Sequence, residues 1–316
     1  MRLCKIACNV GSEKLCRCDV EPLCNLFGKL PTKSIELRHL HQTSIAIGRL
    51  NQLATKKTNL SLRQAIAFAA RKTIDMKQIY DVLANYYDEF SKNDCDYTRW
   101  SQYLFAVAEK SGAKTVVDLA CGTGKMTLLL SKLGLSMTGV DVSEQMLSHA
   151  TQKCRGAKFV CQDVCKLSLT KPQDMAVCVN DGVNYVAPQK LSAFFKAIAK
   201  NLKSGAPFVF DVSTPYKLQN VLVGNVFYVD EQNATLLWTN DAVGSSAVRL
   251  NLTIFEKRSD GAYERRDETH LQYVYDENSL RAALCQSSFE VVEVTADYGL
   301  PLASDSLRMT VFARKL

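Results

Sequence analysis

Asp118, Gly122 and Gly124 are the residues whose types and spacing most clearly suggest chemistry. They lie in Asp118-Leu119-Ala120-Cys121-Gly122-Thr123-Gly124, the glycine loop, which begins at the end of a predicted strand. Two glycines one residue apart let the backbone turn tightly and approach a ligand without interference from Cβ atoms. A dinucleotide-binding loop would carry a third glycine where Thr127 stands. The carboxylate of Asp118 suits a cationic amino acid better than a pyrophosphate.

Two more aspartates follow the next two predicted strands. Asp141 lies 17 residues after Gly124, where an acid can accept hydrogen bonds from both hydroxyls of a ribose. Asp163 follows the third strand and could accept from the amino group of an adenine. Any one of these acids could simply cap a helix, as Asp141 with Ser143 would. Three of them at successive strand ends favour a ligand site.

The elements that must position these residues form a regular series from Met76 onward. Helical spacing of apolar residues predicts helices over 80–90, 99–110, 126–132, 145–153, 191–202 and 277–287. Apolar runs predict strands over 115–119, 137–140, 158–161, 175–179, 208–212, 289–295 and 308–313. Short apolar runs separated by helices indicate parallel strands with helical crossovers. We therefore expect an α/β fold with a Rossmann-like, doubly wound and mostly parallel seven-stranded sheet.

After Pro215 apolar and polar residues alternate, which is typical of antiparallel strands. Four such stretches cover 226–230, 234–240, 248–257 and 264–275, with turn signals at 241–244 and 259–261. We interpret residues 216–275 as an antiparallel lid inserted after the fifth strand, where it would cover a ligand pocket. The alternative is a decorative extension.

Basic charge is concentrated in the first quarter of the chain. Residues 1–75 contain 13 Lys and Arg against 5 Asp and Glu, whereas residues 76–316 contain 26 against 27. The larger part therefore lacks the basic excess of a nucleic-acid-binding surface. Five of the 12 cysteines lie in the first 24 residues, and apart from a possible helix over 61–70 no sustained period is present. We expect residues 1–75 to be a poorly ordered extension and residues 76–316 to form the folded domain.

The composition limits the class of protein. With 47% hydrophobic and 22% charged residues, the chain is typical of a globular protein. No apolar run approaches the roughly 18 residues of a membrane helix, and charges spread through the first 30 residues argue against a signal peptide. We expect a cytoplasmic protein with reduced cysteines, no metal site and no membrane partner.

At the glycine loop, Asp141 and Asp163, the sequence resembles the class I S-adenosylmethionine (SAM)-dependent methyltransferases over residues 76–316. Within them, Asn180-Asp181-Gly182-Val183-Asn184-Tyr185 and Phe210-Asp211-Val212-Ser213-Thr214-Pro215-Tyr216 are similar to uncharacterised bacterial small-molecule methyltransferases with an antiparallel insertion before the final helix. The resemblance implies SAM as cofactor, with the glycine loop at its methionine part. It also implies Asp141 at the ribose, Asp163 with Val164 at the adenine, and Asn180 at the methionine part.

The resemblance also supplies the candidate site residues. Those for the cofactor are Tyr80, Tyr87, Asp118, Ala120, Cys121, Gly122, Gly124, Asp141, Val142, Met146, Asp163, Val164 and Asn180. Acceptors in this fold bind after the fourth and fifth strands, so the substrate-binding candidates are Asn184, Tyr185 and Tyr216. The catalytic candidates are Tyr216 and His270. His270 lies in the lid, where it could face the acceptor as a base or simply be a satisfied lid histidine.

These residues predict a SAM-dependent methyltransferase that acts on a nitrogen or oxygen of a small molecule. Two alternatives stay open: a tRNA or rRNA methyltransferase that uses the basic N-terminal residues, and a non-catalytic SAM-binding regulatory module. Base methylation in nucleic acids is disfavoured, because the stretch at Asn180 has neither the Pro-Pro-aromatic sequence nor a Pro-Cys pair. Thr127 and Asp118 argue against a nicotinamide-dependent dehydrogenase.

Overall fold

The computed structural model describes Tyr80, residues 82–92 and residues 94–316. The predictions for residues 1–75 lie outside this range. The α-helices of the described part are α1 (Leu83–Phe90), α2 (Tyr97–Ser111), α3 (Lys125–Lys132), α4 (Glu144–Lys153), α5 (Pro188–Lys200) and α6 (Glu277–Cys285). The strands are β1 (Thr115–Leu119), β2 (Ser136–Asp141), β3 (Lys158–Cys161), β4 (Met175–Cys178), β5 (Pro207–Ser213), β6 (Val226–Asp230), β7 (Ala234–Val243), β8 (Ala247–Lys257), β9 (Tyr263–Tyr273), β10 (Phe289–Ala296) and β11 (Arg308–Lys315).

The expected α/β fold is confirmed. Seven strands form one sheet in the order β10-β11-β5-β4-β1-β2-β3. Strands β1 to β5 pair in parallel, and β11 is antiparallel to both β5 and β10. The parallel strands all end at one edge of this sheet, here called the carboxyl edge, and begin at the opposite amino edge.

The central strands are apolar on both faces because helices cover both sides of the sheet. Every residue of β4 and β5 is buried. Five phenylalanine rings pack in a continuous series on one side, with neighbouring ring centroids 4.9–6.2 Å apart: Phe194, Phe195, Phe208, Phe210 and Phe289. This core fixes where β4 and β5 end, and therefore where the residues after them lie.

The lid is a separate four-stranded antiparallel sheet in the order β6-β7-β8-β9. Its buried residues include Leu236, Leu252 and Ile254, which pack with Leu83 and Phe90 of α1. The prediction missed one feature of this region, a π-helix over Lys217–Leu222 that joins β5 to the lid. Six residues are too few to give a recognisable period.

Among the described residues no helix combines the length and the apolar character that a membrane span requires.

Candidate functional site

The glycine loop joins β1 to α3 through three residues in the left-handed conformation. Their φ angles are +51° for Ala120, +53° for Gly122 and +74° for Gly124. A Cβ atom on Gly124 would lie 2.9 Å from the Cβ of Ala150, so close packing against α4 requires this glycine. A Cβ on Gly122 would meet only the sulfur of Met146, at 4.0 Å. Among the described residues, its chain neighbours aside, no other heavy atom lies within 4 Å of that position.

Asp141, at the end of β2, holds the glycine loop in place. Its Oδ2 accepts from the backbone N–H of Gly122 at 2.8 Å, and its Oδ1 accepts from that of Ser143 at 2.9 Å. Burial raises the pKa of Asp141, while these backbone hydrogen bonds act in the opposite direction. Each carboxylate oxygen keeps a second lone pair, so both can still accept from ribose hydroxyls.

Asp118 is fully buried at the end of β1. The hydroxyl of Thr127 donates to its Oδ2 at 2.5 Å, and no group among the described residues hydrogen-bonds its Oδ1. Burial raises the pKa of Asp118 to about 7. A buried carboxylate oxygen without a donor is costly unless a ligand supplies one, and an ammonium group would do so. Thr127, noted in the sequence only as a departure from a glycine pattern, is the residue that orients this carboxylate.

The remaining cofactor candidates lie along the same edge. Asp163 accepts from the N–H of Cys165 at 2.9 Å and stays partly exposed, as do Val142 and Val164. Met146 is buried beneath Gly122. Cys121 is buried, and burial raises the pKa of its thiol, as expected of a packing residue rather than a nucleophile.

The turn after β4 contains two consecutive residues in the left-handed conformation, Asn180 (φ +58°) and Asp181 (φ +56°). The Asn180 side chain donates to the hydroxyl of Tyr87 at 3.0 Å. The Asp181 carboxylate accepts from the hydroxyl of Ser213 at 2.9 Å and lies 3.8 Å from Nζ of Lys217. Asn180 thus turns towards α1, and Asp181 towards the end of β5.

Helix α1 lies over the cofactor candidates. Tyr87 contacts Asn180, and Asp88 accepts from the hydroxyl of Thr123 in the glycine loop at 2.6 Å. Burial raises the pKa of Tyr87, so its hydroxyl is protonated at neutral pH. The helix therefore connects the glycine loop to the turn after β4.

The N-terminus of α1 is held by Glu268 of the lid. This carboxylate accepts from the N–H groups of Val82 at 2.8 Å and Leu83 at 3.0 Å. Burial opposes its charge, but hydrogen bonds from His270 and from these two amides lower the pKa of Glu268 below its ordinary value. One lid strand therefore positions both α1 and His270.

His270 is buried, with both ring nitrogens near polar partners. Nε2 lies 3.1 Å from Oε2 of Glu268, and Nδ1 lies 3.4 Å from the hydroxyl of Tyr185. The ring of Tyr80 packs against the imidazole with centroids 4.5 Å apart. Among the described residues, the polar partners of the imidazole are therefore Glu268 and Tyr185.

The substrate-binding candidates occupy different environments. Asn184 is fully buried, and its amide bonds the backbone of Ser213 and Tyr273. Its side chain joins β5 to the lid through these hydrogen bonds. Tyr185 lies partly exposed beside His270, and Tyr216 is 39% exposed at the start of the π-helix.

Lys217, on the π-helix, is a polar residue of this edge that the sequence analysis did not assign. Its Nζ donates to the hydroxyl of Ser213 at 3.0 Å and lies near Asp181. Burial, together with the nearby Arg308, lowers the pKa of Lys217. Its only sequence signal was its place shortly after the fifth strand.

The comparisons with known proteins agree with this geometry. The family model described as "Methyltransferase domain" matches residues 116–205. The "Putative methyltransferase GWCH70_2453" of Geobacillus sp. (strain WCH70) is 29% identical over 245 residues, which cover 75% of this chain and 99% of that protein. An S-adenosylmethionine-dependent methyltransferase structure from Clostridium acetobutylicum is 28% identical, with a TM-score of 0.68, and the match covers 75% of this chain and 98% of that one. The sugar N-methyltransferase KedS8 from Streptoalloteichus sp. shares the fold at 22% identity and a TM-score of 0.61, over 71% of this chain and 91% of its own.

Proposed function

The chain belongs to the class I SAM-dependent methyltransferases, and we propose that it transfers the methyl group of SAM to a nitrogen or oxygen of a small molecule. In this proposal residues 76–316 form the methyltransferase domain, and residues 1–75 are an extension not needed for the reaction. The observation that carries it is the cluster of partly buried polar side chains at the ends of β4 and β5, beneath the lid.

The carboxyl edge suits SAM in three respects. Asp118 Oδ1 is buried and has no donor among the described residues, and the ammonium group of the methionine part would supply one. Among the described residues only the sulfur of Met146 would contact a Cβ on Gly122, so a ligand can lie against the loop backbone. Asp141 keeps acceptor capacity for the ribose hydroxyls. When bound, SAM supplies an electrophilic methyl group on its sulfonium.

The acceptor is proposed to lie between the turn after β4 and the lid. Asp181 and Tyr185 come from the turn after β4 and Lys217 from the π-helix, and Tyr216 has an exposed ring at the start of that helix. A site of this kind suits a small molecule with hydrogen-bonding groups. The sugar N-methyltransferase KedS8 has the same fold, and a sugar is an acceptor of this kind.

Proton removal is proposed to run through Tyr185 to His270. Burial raises the pKa of Tyr185, so its hydroxyl stays protonated. The hydroxyl can therefore donate a hydrogen bond to the molecule to be methylated or accept one from it. The nearby Nδ1 of His270 can take the proton that Tyr185 passes on, and Glu268 would stabilise the resulting imidazolium. His270 would thus act as the base through Tyr185, without contacting the methyl acceptor itself.

The experiment uses the full chain and SAM labelled in its methyl group. The protein is incubated with two fractions of a bacterial cell extract, the small-molecule filtrate and the purified RNA, and label transfer is measured in each. We expect label in the small-molecule fraction. Label in RNA alone would support the RNA methyltransferase that uses the basic N-terminal residues. Tight SAM binding with no label in either fraction would support the non-catalytic module.

Variants test the proton route once a labelled product is found. Tyr185→Phe should lower turnover by roughly 10²-fold, the lower end for general acid–base catalysis, and leave the affinity for SAM unchanged. His270→Asn should have a similar effect, and the double variant should be no slower. Tyr263→Phe, an exposed tyrosine of the same lid, is the matched control. Equal turnover of Tyr185→Phe and wild type would exclude the route.

A further inference from the structure

Asp211 is a fully buried residue of β5, and its carboxylate accepts hydrogen bonds from four donors. Oδ1 accepts from the N–H of Asp181 at 2.8 Å and from the guanidinium of Arg308. Oδ2 accepts from the N–H of Asn180 at 2.7 Å and from the hydroxyl of Tyr298 at 2.5 Å. One carboxylate thus joins three parts of the chain that lie far apart in sequence.

Two of these donors are the consecutive left-handed residues Asn180 and Asp181. A residue with a Cβ atom is disfavoured in this conformation, and two in succession need support from outside the turn. Both N–H groups point at the same buried carboxylate, one at each oxygen. Asp211 therefore satisfies both amides and holds the turn in this conformation.

Arg308 completes the arrangement. It balances the charge of Asp211, which would be costly to bury alone, and its guanidinium lies over the ring of Trp100 at 4.7 Å. Its second nitrogen, Nη2, donates to Oδ1 of Asn180 at 3.1 Å, while Nδ2 of Asn180 donates to Tyr87. The Asn180 side chain is therefore fixed from both sides.

We propose that Asp211 and Arg308 are positioning residues for SAM binding. They act through Asn180, whose backbone conformation and side-chain direction they set at the methionine part of the cofactor. The inference rests on the proposed role of Asn180. It assigns no direct contact with SAM to Asp211 or Arg308, because both lie behind the turn.

The test measures the dissociation constants of SAM and of adenosine for the full chain by calorimetry. In Asp211→Asn the amide offers one acceptor oxygen where two are needed, so the turn loses a backbone hydrogen bond. We expect SAM to bind about tenfold more weakly, or worse. Adenosine lacks the methionine part, so its dissociation constant should change less than twofold. A general loosening of the fold would weaken both ligands.

Asp174→Asn is the matched control. Asp174 Oδ2 also accepts from two backbone amides, those of Lys114 at 3.0 Å and Thr115 at 2.8 Å, but at the amino edge. We expect this variant to lose thermal stability and to bind SAM within about twofold of wild type. Equal weakening of SAM binding in the Asp174 and Asp211 variants would overturn the inference.

A double variant shows whether Asp211 acts through Asn180. If it does, combining Asp211→Asn with Asn180→Ala weakens SAM binding no more than the stronger single change. Wild-type SAM affinity in Asp211→Asn, with weakened binding in Asn180→Ala, would overturn the inference and leave the proposed site standing. Wild-type affinity in both variants would remove the proposed role of Asn180 and the inference with it.

Arg308→Lys keeps the test decisive if Asp211→Asn does not fold. Lysine retains the positive charge beside Asp211, but its single ammonium cannot also hold Asn180 as the guanidinium fork does. We expect SAM binding to weaken by roughly threefold to tenfold, again with adenosine unaffected. An unchanged SAM affinity in this variant would contradict the proposal.

Discussion

The turns at the two edges of the seven-stranded sheet differ in which residues adopt the left-handed conformation. At the amino edge the left-handed turn positions are mostly glycines, namely Gly112, Gly134 and Gly205. At the carboxyl edge they include residues with side chains, namely Ala120, Asn180, Asp181, Asp297 and Tyr298. In the part of the chain that the structure describes, Ser288 is the one non-glycine residue of this kind at the amino edge.

The difference shows where strain coincides with the site. The left-handed conformation costs a residue with a Cβ about 1–2 kcal/mol. Glycine avoids this penalty and is therefore favoured where only a turn is needed. At the carboxyl edge, residues with side chains adopt this unfavourable conformation, and contacts with other elements stabilise them in it. Asn180 and Asp181 are held by Asp211, and Asp297 by the side chains of Arg99 and Trp100.

The largest expected effect concerns two aspartates, one at each edge, with opposite pKa shifts. Burial raises the pKa of Asp118 to about 7. Burial also opposes the charge of Asp174, but Lys203 and the amides of Thr115 and Lys114 outweigh it and lower the pKa of Asp174. Stability from Asp118 is therefore full below about pH 4 and is lost as the pH rises through about 7. Stability from Asp174 is present above about pH 4 and is lost as the pH falls.

Denaturant unfolding without SAM from pH 3 to 9 checks this contrast. Between pH 4 and 8 the unfolding free energy of the wild type should fall by up to about 4 kcal/mol because of Asp118. The Asp118→Asn variant should not show this fall. Below pH 4 the Asp174→Asn variant should lose less unfolding free energy than the wild type as the pH falls. If both variants keep the wild-type pH profile, neither carboxylate carries the shift ascribed to it.

The next effect in size concerns the affinity for SAM. Asp141→Ala should weaken SAM binding by roughly 1–3 kcal/mol, because the ribose hydroxyls lose their acceptor. The variant also frees the N–H of Gly122, so part of the loss comes from the loop. Calorimetric titration measures the change, and Asp174→Ala, which removes an aspartate of the amino edge, should leave SAM affinity unchanged. A folded Asp141→Ala protein that binds SAM like wild type would exclude the ribose role.

The sequence predicted the main elements well because they depend on local patterns. Three strands, Thr115–Leu119, Lys158–Cys161 and Val226–Asp230, have the predicted bounds, and the other predicted elements differ by at most three residues at either end. Apolar runs mark buried strands whatever packs on them, and glycine spacing marks a tight turn. The alternation in the lid also predicts that His270 lies on a strand, and it lies on β9.

The connections between distant residues could not be predicted in the same way. Asp211 looked like one polar residue in an apolar strand, because its partners lie 30, 31, 87 and 97 residues away in sequence. Only the pairing of β11 beside β5 brings Arg308 to it. Asn184 is predicted to bind substrate from its place after the fourth strand, but the hydrogen bonds of its amide to Ser213 and Tyr273 depend on the packing of β5 and the lid and have no local sequence signal.

The smallest expected effect on stability separates the two edges most directly. Gly122, in the loop at the carboxyl edge, and Gly205, in a turn at the amino edge, have φ angles of +53° and +76°. A Cβ at Gly205 would meet nothing within 4 Å, and one at Gly122 would meet only the sulfur of Met146 at 4.0 Å. Replacing either glycine by alanine should therefore cost the same, about 1 kcal/mol of unfolding free energy, since only the left-handed conformation is penalised.

SAM binding should distinguish the two variants despite this equal loss. The methyl group of Gly122→Ala would occupy the space in which the cofactor is proposed to lie against the loop, so SAM should bind at least about tenfold more weakly. Gly205→Ala should bind SAM like wild type, because its methyl group lies at the opposite edge of the sheet. Unfolding curves and calorimetric titrations of both variants make the comparison. Equal SAM affinity at equal stability would mean that the cofactor does not approach the loop at Gly122, and the open space there would then need another occupant.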